Sequence, residues 1–374
     1  MSPALQAWLC PVGRDLDYSA AHSTPCSLQE APRYRLTVSS LRRPAAWCNG
    51  RPGFCRLRAD EFLWAGAHNS GTGQAAGSAT CAFKNQDLSV EEQLELGVRL
   101  LDVDTIYSTS LAGCYGLETG HGSSPEIGLY QCYGAVATLL DQLRAWLDNH
   151  PTELVMASFG NIEYPRETVP RIMEALRRAF PEEGSGVRMN TQFKTNGSWP
   201  LLGEAVAANQ RLFVLIRDTV GAVGEEDVQF VREVKVKSGR EVANKSETEV
   251  YTTTSYKAER VTDCFYVVAN SRAACTTDSR LHTDFLKLSL FSKFGKGGVL
   301  GLQCVSSMAK KCNQWVEESL AACNLREFRP NMVLVDYPNY QGRARGLVEV
   351  VEEENLRRAE VAAGMPGRGQ LPRL

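Results

Sequence analysis

Residues Phe62 to Asp104, with the sequence FLWAGAHNSGTGQAAGSATCAFKNQDLSVEEQLELGVRLLDVD, carry the clearest indication of the fold. The apolar residues ahead of His68 predict a strand that ends there, and the residues up to Asp104 predict a short helix and a second strand. Asp102 and Asp104 are two positions apart, so a pleated strand turns both carboxylates to one side of the sheet. The histidine and the two acids therefore predict a base beside a cation site.

Length and charge bound the function class. With 374 residues, of which 43% are hydrophobic, the chain can bury a large core in one barrel with insertions or in two domains. The formal net charge is -2, and no basic face follows the chain, which argues against nucleic-acid binding. No apolar segment is long enough to span a bilayer, so membrane contact is expected to be peripheral.

Cysteine usage points to an oxidising compartment. The chain has 12 cysteines, and Cys48 and Cys55 flank a tight loop that suits a short-range disulfide. Pairs with zinc-type Cys-x-x-Cys spacing do not occur. Asn196 and Asn244 begin glycosylation sequons. These features favour a secreted or extracellular protein, although residues 1–20 lack the apolar core of a signal peptide and leave a cytoplasmic location open.

Strand-like and helix-like segments alternate after Phe62, which predicts three regions. Residues 1–46 are expected to be a poorly ordered leader, 47–356 the barrel, and 357–374 a disordered tail. Apolar strands that alternate with helices favour an α/β fold, here a TIM-type (β/α) barrel, regular or distorted, with an insertion at 218–281. The polar residues expected at the carboxyl ends of its strands are His68, Asp102, Asp104, His121, Asn161, Arg217 and Asp336.

Several short motifs, in order and spacing, carry a family resemblance. They are His68-Asn69-Ser70, Asn85-Gln86, Gly97-Val98-Arg99, Leu101-Asp102-Val103-Asp104, His121-Gly122 and Val333-Leu334-Val335-Asp336-Tyr337. In these motifs the chain resembles the phosphatidylinositol-specific phospholipase C X-domain superfamily of PLC-like phosphodiesterases, in its secreted-type branch. The resemblance covers about Cys48 to Val350. It implies a TIM-type barrel that cleaves a phosphodiester in a phospholipid, such as phosphatidylinositol, or in a glycerophosphodiester.

The resemblance also assigns catalytic roles. It places His68 as the general base and His121 as the acid that protonates the leaving group, a pairing that gives a bell-shaped pH profile. Asp336 would orient the ring of His68. The alternatives are a core histidine for His68, a surface-loop histidine for His121 and a loop-capping carboxylate for Asp336. Arg217 is kept outside the assignment, because an arginine at a strand end is more often solvated or ion-paired.

Asn69, Asp102 and Asp104 offer hard oxygen ligands that suit a divalent cation, with Ca²⁺ favoured over Mg²⁺. By resemblance, metal-dependent members carry a carboxylate at the position of Asp104, where metal-free bacterial enzymes carry an arginine. Gly160 departs from the pattern, since a further ligand carboxylate is expected there. The alternative for the two acids is an ion pair with Arg99.

Two other functions stay open. A glycerophosphodiester phosphodiesterase or a sphingomyelinase D-like enzyme would also use two histidines and acidic metal ligands on such a barrel. A catalytically weak, secreted barrel that binds lipid head groups would fit the missing carboxylate at Gly160.

Overall fold

The computed structural model describes fourteen stretches of the chain. These are residues 47–74, 84–110, 113–122, 130–190, 199–217, 229–237, 240–241, 252–257, 260–261, 264–265, 285–290, 305–324, 330–340 and 345–364. The predicted leader and both sequons lie outside these residues.

The described elements alternate between strands and helices. The strands are β1 Trp64–Ala67, β2 Leu100–Ser108, β3 Gly116–Gly122, β4 Tyr130–Ala135, β5 Val155–Glu163, β6 Leu212–Arg217, β7 Gln229–Lys237, β8 Arg240–Glu241, β9 Thr252–Lys257, β10 Arg260–Val261, β11 Cys264–Phe265, β12 Phe285–Leu290 and β13 Met332–Val335. The helices are α1 Val90–Leu96, α2 Val136–Asn149, α3 Pro165–Ala179, α4 Leu202–Ala207, α5 Val305–Cys312, α6 Val316–Asn324 and α7 Leu347–Ala362.

Parallel pairing follows a cyclic order through eight of these strands. The order is β1, β2, β5, β6, β7, β9, β12 and β13, and β13 pairs in parallel with β1 again. This is the strand order of a TIM-type barrel, in which the carboxyl ends of all strands lie at one edge. The predicted α/β fold is confirmed.

Helix α1 turns the chain from β1 into β2. It begins with a capping box, in which the Ser89 side chain accepts from the Glu92 amide and the Glu92 carboxylate accepts from the Ser89 amide. It ends at Gly97, whose φ of 108° is left-handed and whose missing Cβ leaves room for Val348. The chain therefore reverses and enters β2 beside β1.

The two faces of β2 have different neighbours. Leu101 and Val103 are fully buried in a cluster with residues of α1 and α2. Leu100, on the opposite face, belongs to a second cluster that includes Trp64, Met156 and Phe213 from neighbouring strands. Since side chains alternate along a strand, Asp102 and Asp104 share the face of Leu100. This face of β2 is thus apolar at Leu100 and acidic at Asp102 and Asp104.

The structure corrects three details of the predicted organisation. The strand predicted before His121 is antiparallel to β2 and forms a hairpin with β4, so it is not a barrel strand. Asp102 and Asp104 lie within β2, which continues to Ser108, and not at its end. The segment predicted as an insertion supplies β7 and β9 to the main sheet, because sequences such as QFVREVKVK alternate with period two.

The last helix extends past the predicted domain boundary. Helix α7 continues to Ala362, six residues beyond position 356. Arg358 anchors this end, because its guanidinium donates to the carbonyls of Glu61 and Pro330 and pairs with Glu354. The chain from 365 onward lies outside the described residues. Within the described ranges, no helix combines the length and apolar character that a membrane-spanning helix requires.

Candidate active site

His68 is the first residue after β1, at the carboxyl edge of the sheet. Its backbone is held at both polar groups: its amide donates to the Val335 carbonyl at 2.9 Å, and its carbonyl accepts from Nε2 of Gln86 at 2.6 Å. The side chain is largely buried, with 12% of its surface exposed. The backbone of His68 is therefore fixed by β13 and Gln86, and its side chain is enclosed.

Asp336 follows β13, the strand next to β1, and it faces the His68 ring. Its Oδ1 lies 2.8 Å from Nδ1 of His68, and only 1% of its side chain is exposed. The same oxygen accepts a hydrogen bond from Nδ2 of Asn85 at 2.8 Å. A carboxylate oxygen only accepts hydrogen bonds, so Nδ1 of the neutral ring carries the proton. Nε2 is left as the basic nitrogen.

The pKa of His68 is raised by its surroundings. Burial acts to lower it, but the hydrogen bond to Asp336 and the negative charges of Asp336, Asp102 and Asp104 together outweigh burial. The acids thus stabilise the imidazolium form, as a group that accepts a proton during a reaction requires.

His121 reaches the same place from the β3–β4 hairpin. Its ring lies 5.9 Å from the ring of His68, centroid to centroid, at an interplanar angle of 78°. The hairpin is bridged by a disulfide between Cys114 and Cys132, and Cys132 pairs with Gly120 next to His121. At this distance the two imidazoles are close enough to act on the same bound group.

Asn69, Asp102 and Asp104 complete the cluster, and all three are buried. One end of the Asn69 amide lies 2.9 and 3.3 Å from the two carboxylate oxygens of Asp104. Its other end lies 3.0 Å from Oδ1 of Asn85 and 3.3 Å from Nε2 of His121. The structure thus brings all six predicted site residues to one place: His68, Asn69, Asp102, Asp104, His121 and Asp336.

The Asn69 amide has two possible orientations. With Nδ2 toward Asp104, it donates to the carboxylate and its oxygen accepts from His121. With Nδ2 toward Asn85, it donates to Asn85 Oδ1 and its own oxygen faces the Asp104 carboxylate. Two oxygens that lie 2.9 Å apart repel one another unless a cation or a proton lies between them. The second orientation therefore presents an oxygen donor set that fits a hard divalent cation.

The candidate cation site has only two carboxylates among its described residues, those of Asp102 and Asp104. In the described part of the chain, no three His, Cys, Asp or Glu side chains come together as a metal-binding group. Gly160 pairs with Asp104 on the neighbouring strand, so the position expected to carry a further carboxylate has no side chain. The side chains of Asn161 and Arg217 lie outside the described part.

Arg99 has partners other than the site acids. Its guanidinium bonds the Glu153 carboxylate at 2.7 and 2.9 Å, donates to the carbonyls of Leu94 and Val98, and lies over the Trp146 ring. The ion-pair partner of Arg99 is therefore Glu153. The alternative in which Asp102 and Asp104 pair with Arg99 is not supported.

Two residues of the site were not singled out from the sequence. Asn85 bridges Asn69 and Asp336, although only its place in the Asn85-Gln86 motif could have marked it. Tyr130 on β4 has a buried hydroxyl for which the described residues supply no hydrogen-bond partner. Burial and the charges of Asp104 and Glu163 raise its pKa. Tyr130 therefore faces the same acidic region.

Comparison with known proteins agrees with this geometry. The PI-PLC X family model matches residues 54–231. This part of the chain is therefore similar to the PI-PLC X family. A PI-PLC X domain-containing protein 1 from Arthroderma benhamiae is 27% identical over 179 residues, which cover 45% of this chain and 50% of that protein. An uncharacterized protein of Mycobacterium tuberculosis is 30% identical over 155 residues, 38% of this chain and 31% of its own length.

The solved structures show the same fold. A phosphatidylinositol-specific phospholipase C from Staphylococcus aureus matches with a TM-score of 0.50 and 16% identity, over 79% of this chain and 93% of that one. At this identity the likeness concerns the fold alone. The chain spans half or less of the length of the curated relatives it matches. The PI-PLC X-like domain here holds the two histidines at the carboxyl edge described above.

Proposed function

We propose that this PI-PLC X-like protein is a phosphodiesterase that cleaves a phospholipid, such as phosphatidylinositol, by paired histidine catalysis. The observation that carries the proposal is the placement of His121 5.9 Å from a His68 ring that is hydrogen-bonded to Asp336. Similarity to the PI-PLC X family, together with the fold, supports phosphodiester chemistry of the phospholipase C type.

His68 acts as the general base. Asp336 accepts from Nδ1, so Nε2 takes the proton of the attacking hydroxyl. With phosphatidylinositol, that hydroxyl is the inositol 2-hydroxyl, whose oxygen attacks phosphorus. The negative charges of Asp336, Asp102 and Asp104 stabilise the imidazolium that forms.

His121 acts as the general acid. It approaches from a separate hairpin and so can stand on the opposite side of the phosphate from His68. It protonates the oxygen of the leaving diacylglycerol when the bond from phosphorus to that oxygen breaks. The water-soluble product is a cyclic inositol phosphate.

Asn69, Asp102 and Asp104 would hold the divalent cation, with Ca²⁺ favoured over Mg²⁺. A cation bound there supplies positive charge against the charge that develops on the phosphoryl oxygens. The two buried carboxylates supply most of the attraction, and Asn69 adds a neutral oxygen. With Gly160 opposite Asp104, binding is expected to be weaker than at a site with three acids.

One observation favours a second candidate function. Because Gly160 leaves the cation site without a further carboxylate, the barrel would retain a lipid head group while turning it over slowly. Saturable binding to phosphatidylinositol vesicles without any product would support this binding role over catalysis.

The disulfides support an oxidising location. Cys48–Cys55, predicted from the sequence, and Cys114–Cys132 are both formed, and Cys312 is also disulfide-bonded. Disulfides of this kind persist in secreted and extracellular proteins. We therefore propose an extracellular protein that contacts its lipid substrate peripherally.

The test of the proposal is head-group release with and without a divalent cation. Purified protein is incubated with separate vesicles of phosphatidylinositol, phosphatidylcholine, sphingomyelin and lysophospholipid, and the released head groups are measured. The proposal expects a phosphorylated inositol product that EDTA abolishes and added Ca²⁺ restores. Release of choline or ethanolamine would instead indicate a sphingomyelinase D-like or glycerophosphodiesterase activity, and unchanged activity in EDTA would remove the cation role.

A further inference from the structure

Asn85 lies between Asn69, at the proposed cation site, and Asp336, which contacts His68. Asn85 is 3% exposed. Its backbone N–H donates to Oγ1 of Thr72 at 3.1 Å, and its backbone carbonyl accepts from the backbone N–H of Tyr337 at 3.0 Å. Oγ1 of Thr72 in turn donates to the Asn69 carbonyl at 2.8 Å. The Asn85 backbone is thus fixed to the segments that carry Asn69 and Asp336.

The contact with Asp336 sets which way the Asn85 amide faces. The atom 2.8 Å from Oδ1 of Asp336 must be the nitrogen Nδ2, because a carboxylate oxygen beside His68 accepts and does not donate. The oxygen Oδ1 of Asn85 must then face Asn69 at 3.0 Å. Asn85 therefore offers Asn69 an acceptor and never a donor.

This acceptor favours one of the two orientations of Asn69. If Nδ2 of Asn69 faces Asn85, a hydrogen bond forms. If the Asn69 oxygen faces Asn85, two amide oxygens lie 3.0 Å apart with no hydrogen between them. Without a cation, the contacts with Asp104 and with Nε2 of His121 favour Nδ2 toward Asp104. When a cation lies between the Asn69 oxygen and Asp104, the unmade hydrogen bond to Asn85, which costs roughly 1–3 kcal/mol, favours the orientation with Nδ2 toward Asn85. In that orientation the Asn69 oxygen lies 2.9 Å from the Asp104 carboxylate.

We propose that Asn85 is a positioning residue that holds the Asn69 oxygen toward Asp104 when a divalent cation is bound there. The chain of contacts Asn69–Asn85–Asp336–His68 joins the cation site to the catalytic base through one buried amide. This inference rests on the proposed cation role of Asn69, Asp102 and Asp104. It assigns a function to a residue that touches neither the cation nor the substrate.

Two substitutions separate the two contacts of Asn85. Asn85→Ala removes both, so Asn69 can turn its nitrogen toward Asp104. Asn85→Asp keeps an acceptor for Nδ2 of Asn69 but loses the donor to Asp336 and adds a charge beside it. We expect Asn85→Ala to weaken Ca²⁺ binding by about 10- to 100-fold, as loss of a group that orients a metal ligand does. Asn85→Asp should bind Ca²⁺ as tightly as the wild type or more tightly, while its kcat falls.

Asn355→Ala is the matched control. Asn355 is a buried asparagine that bonds the amide and carbonyl of Leu63, at 2.7 and 2.8 Å, and has no contact with the site residues. Its loss should lower the melting temperature and leave the Ca²⁺ dissociation constant unchanged. It therefore measures what the removal of any buried amide does to binding through general destabilisation.

The measurement is isothermal titration calorimetry with Ca²⁺ alone on the full chain, with folding checked by circular dichroism. Weakened binding in Asn85→Ala, with retained binding in Asn85→Asp and Asn355→Ala, supports the proposal. Equal dissociation constants for Asn85→Ala and the wild type would overturn it and leave the cation role standing. If Asn85→Asp weakens binding as much as Asn85→Ala, the acceptor role is wrong. A wild-type protein that binds no Ca²⁺ or Mg²⁺ overturns both this inference and the cation role.

Discussion

Nδ1 of His68 lies 2.8 Å from Oδ1 of Asp336, although 268 positions separate the two residues. Each is the first residue after its strand, and the two strands pair in parallel with Ala67 opposite Val335. The carboxyl ends of parallel neighbours meet at one edge, so the pairing of β1 with β13 brings the two side chains together. The first and last strands of the barrel are thus what assemble the proposed base.

Asp336→Asn should change the pH dependence of the reaction. The base must be neutral to act, so activity rises with pH through the pKa of His68, which Asp336 and the other acids raise. The substitution removes the hydrogen bond and the charge of Asp336, and burial then lowers the pKa. We expect the acidic limb of the kcat/KM profile to move to lower pH, with a lower maximum because Nδ1 loses its acceptor. A profile that keeps the wild-type limb would show that Asp336 does not act on His68.

The same contact affects folding stability in a defined direction. Because the folded-state pKa of His68 is raised, the stabilisation it gives is fully present below the unfolded pKa and is lost as pH rises through the folded value. In Asp336→Asn the free energy of unfolding should therefore fall less steeply as pH rises through the titration of His68. Melting temperatures measured across the histidine titration range for both proteins check the prediction.

The two histidines should respond differently to the leaving group. Removal of a general acid or base costs about 10²–10⁴-fold in rate, so His68→Ala and His121→Leu should both be nearly inactive on phosphatidylinositol. A nitrophenyl ester of inositol phosphate has a leaving group that departs without a proton. It should restore turnover by His121→Leu and not by His68→Ala. Equal rescue of both variants would contradict the assignment of acid and base.

The Cys114–Cys132 disulfide should matter for turnover as well as for stability. It closes an 18-residue separation around the hairpin that carries His121, and the chain-entropy model gives about 3 kcal/mol for such a loop. The double Cys→Ser variant at these positions should lose about that much stability and show a reduced kcat, since His121 is held less firmly.

Cys48–Cys55 provides the control for that experiment. Its separation is 7 residues, for which the same model gives about 2 kcal/mol, and it lies in the loop ahead of β1. The matching double Ser variant should lose stability and keep kcat. If removal of either disulfide lowers kcat equally, the loss of activity reflects general destabilisation of the fold and not the position of His121.

Gly160→Glu should strengthen the cation site. Gly160 pairs with Asp104 across β2 and β5, so a carboxylate there adds a third acid near the other two. Each added charged ligand tightens Ca²⁺ sites, and a gain of about tenfold in affinity would correspond to about 1.4 kcal/mol. Calorimetry on Gly160→Glu and on the control Gly160→Ala measures it. Affinity that is unchanged in both would place the cation elsewhere.

The sequence predicted those parts of the site that follow from strand periodicity. Asp102 and Asp104 share one face because side chains alternate along β2, and His68 and Asp336 follow apolar strands that are easy to recognise. The position of His121 was predicted by motif alone, and its strand was misplaced. The sequence GLETGHG has no alternating apolar residues, and its antiparallel pairing with β2 and β4 is set by tertiary contacts.

The role of Asn85 could not be predicted for a different reason. An asparagine acquires its role from what each end of its amide contacts, and both contacts here reach residues distant in sequence, Asn69 at 16 positions and Asp336 at 251. Strands β7 and β9 were missed because charged residues interrupt the apolar residues of β7, while β9 is polar and threonine-rich, and both patterns resemble a surface segment. The place of β9 in the sheet follows from its parallel pairing with β7 and β12 and not from apolar content.

Mass spectrometry of the products that the wild type and His68→Ala release from mixed phospholipid vesicles in Ca²⁺ tests whether His68 is the catalytic base. We expect cyclic inositol phosphate from the wild type, and none from a His68→Ala variant that circular dichroism shows to be folded. The same product at near-normal rate from His68→Ala would contradict that role.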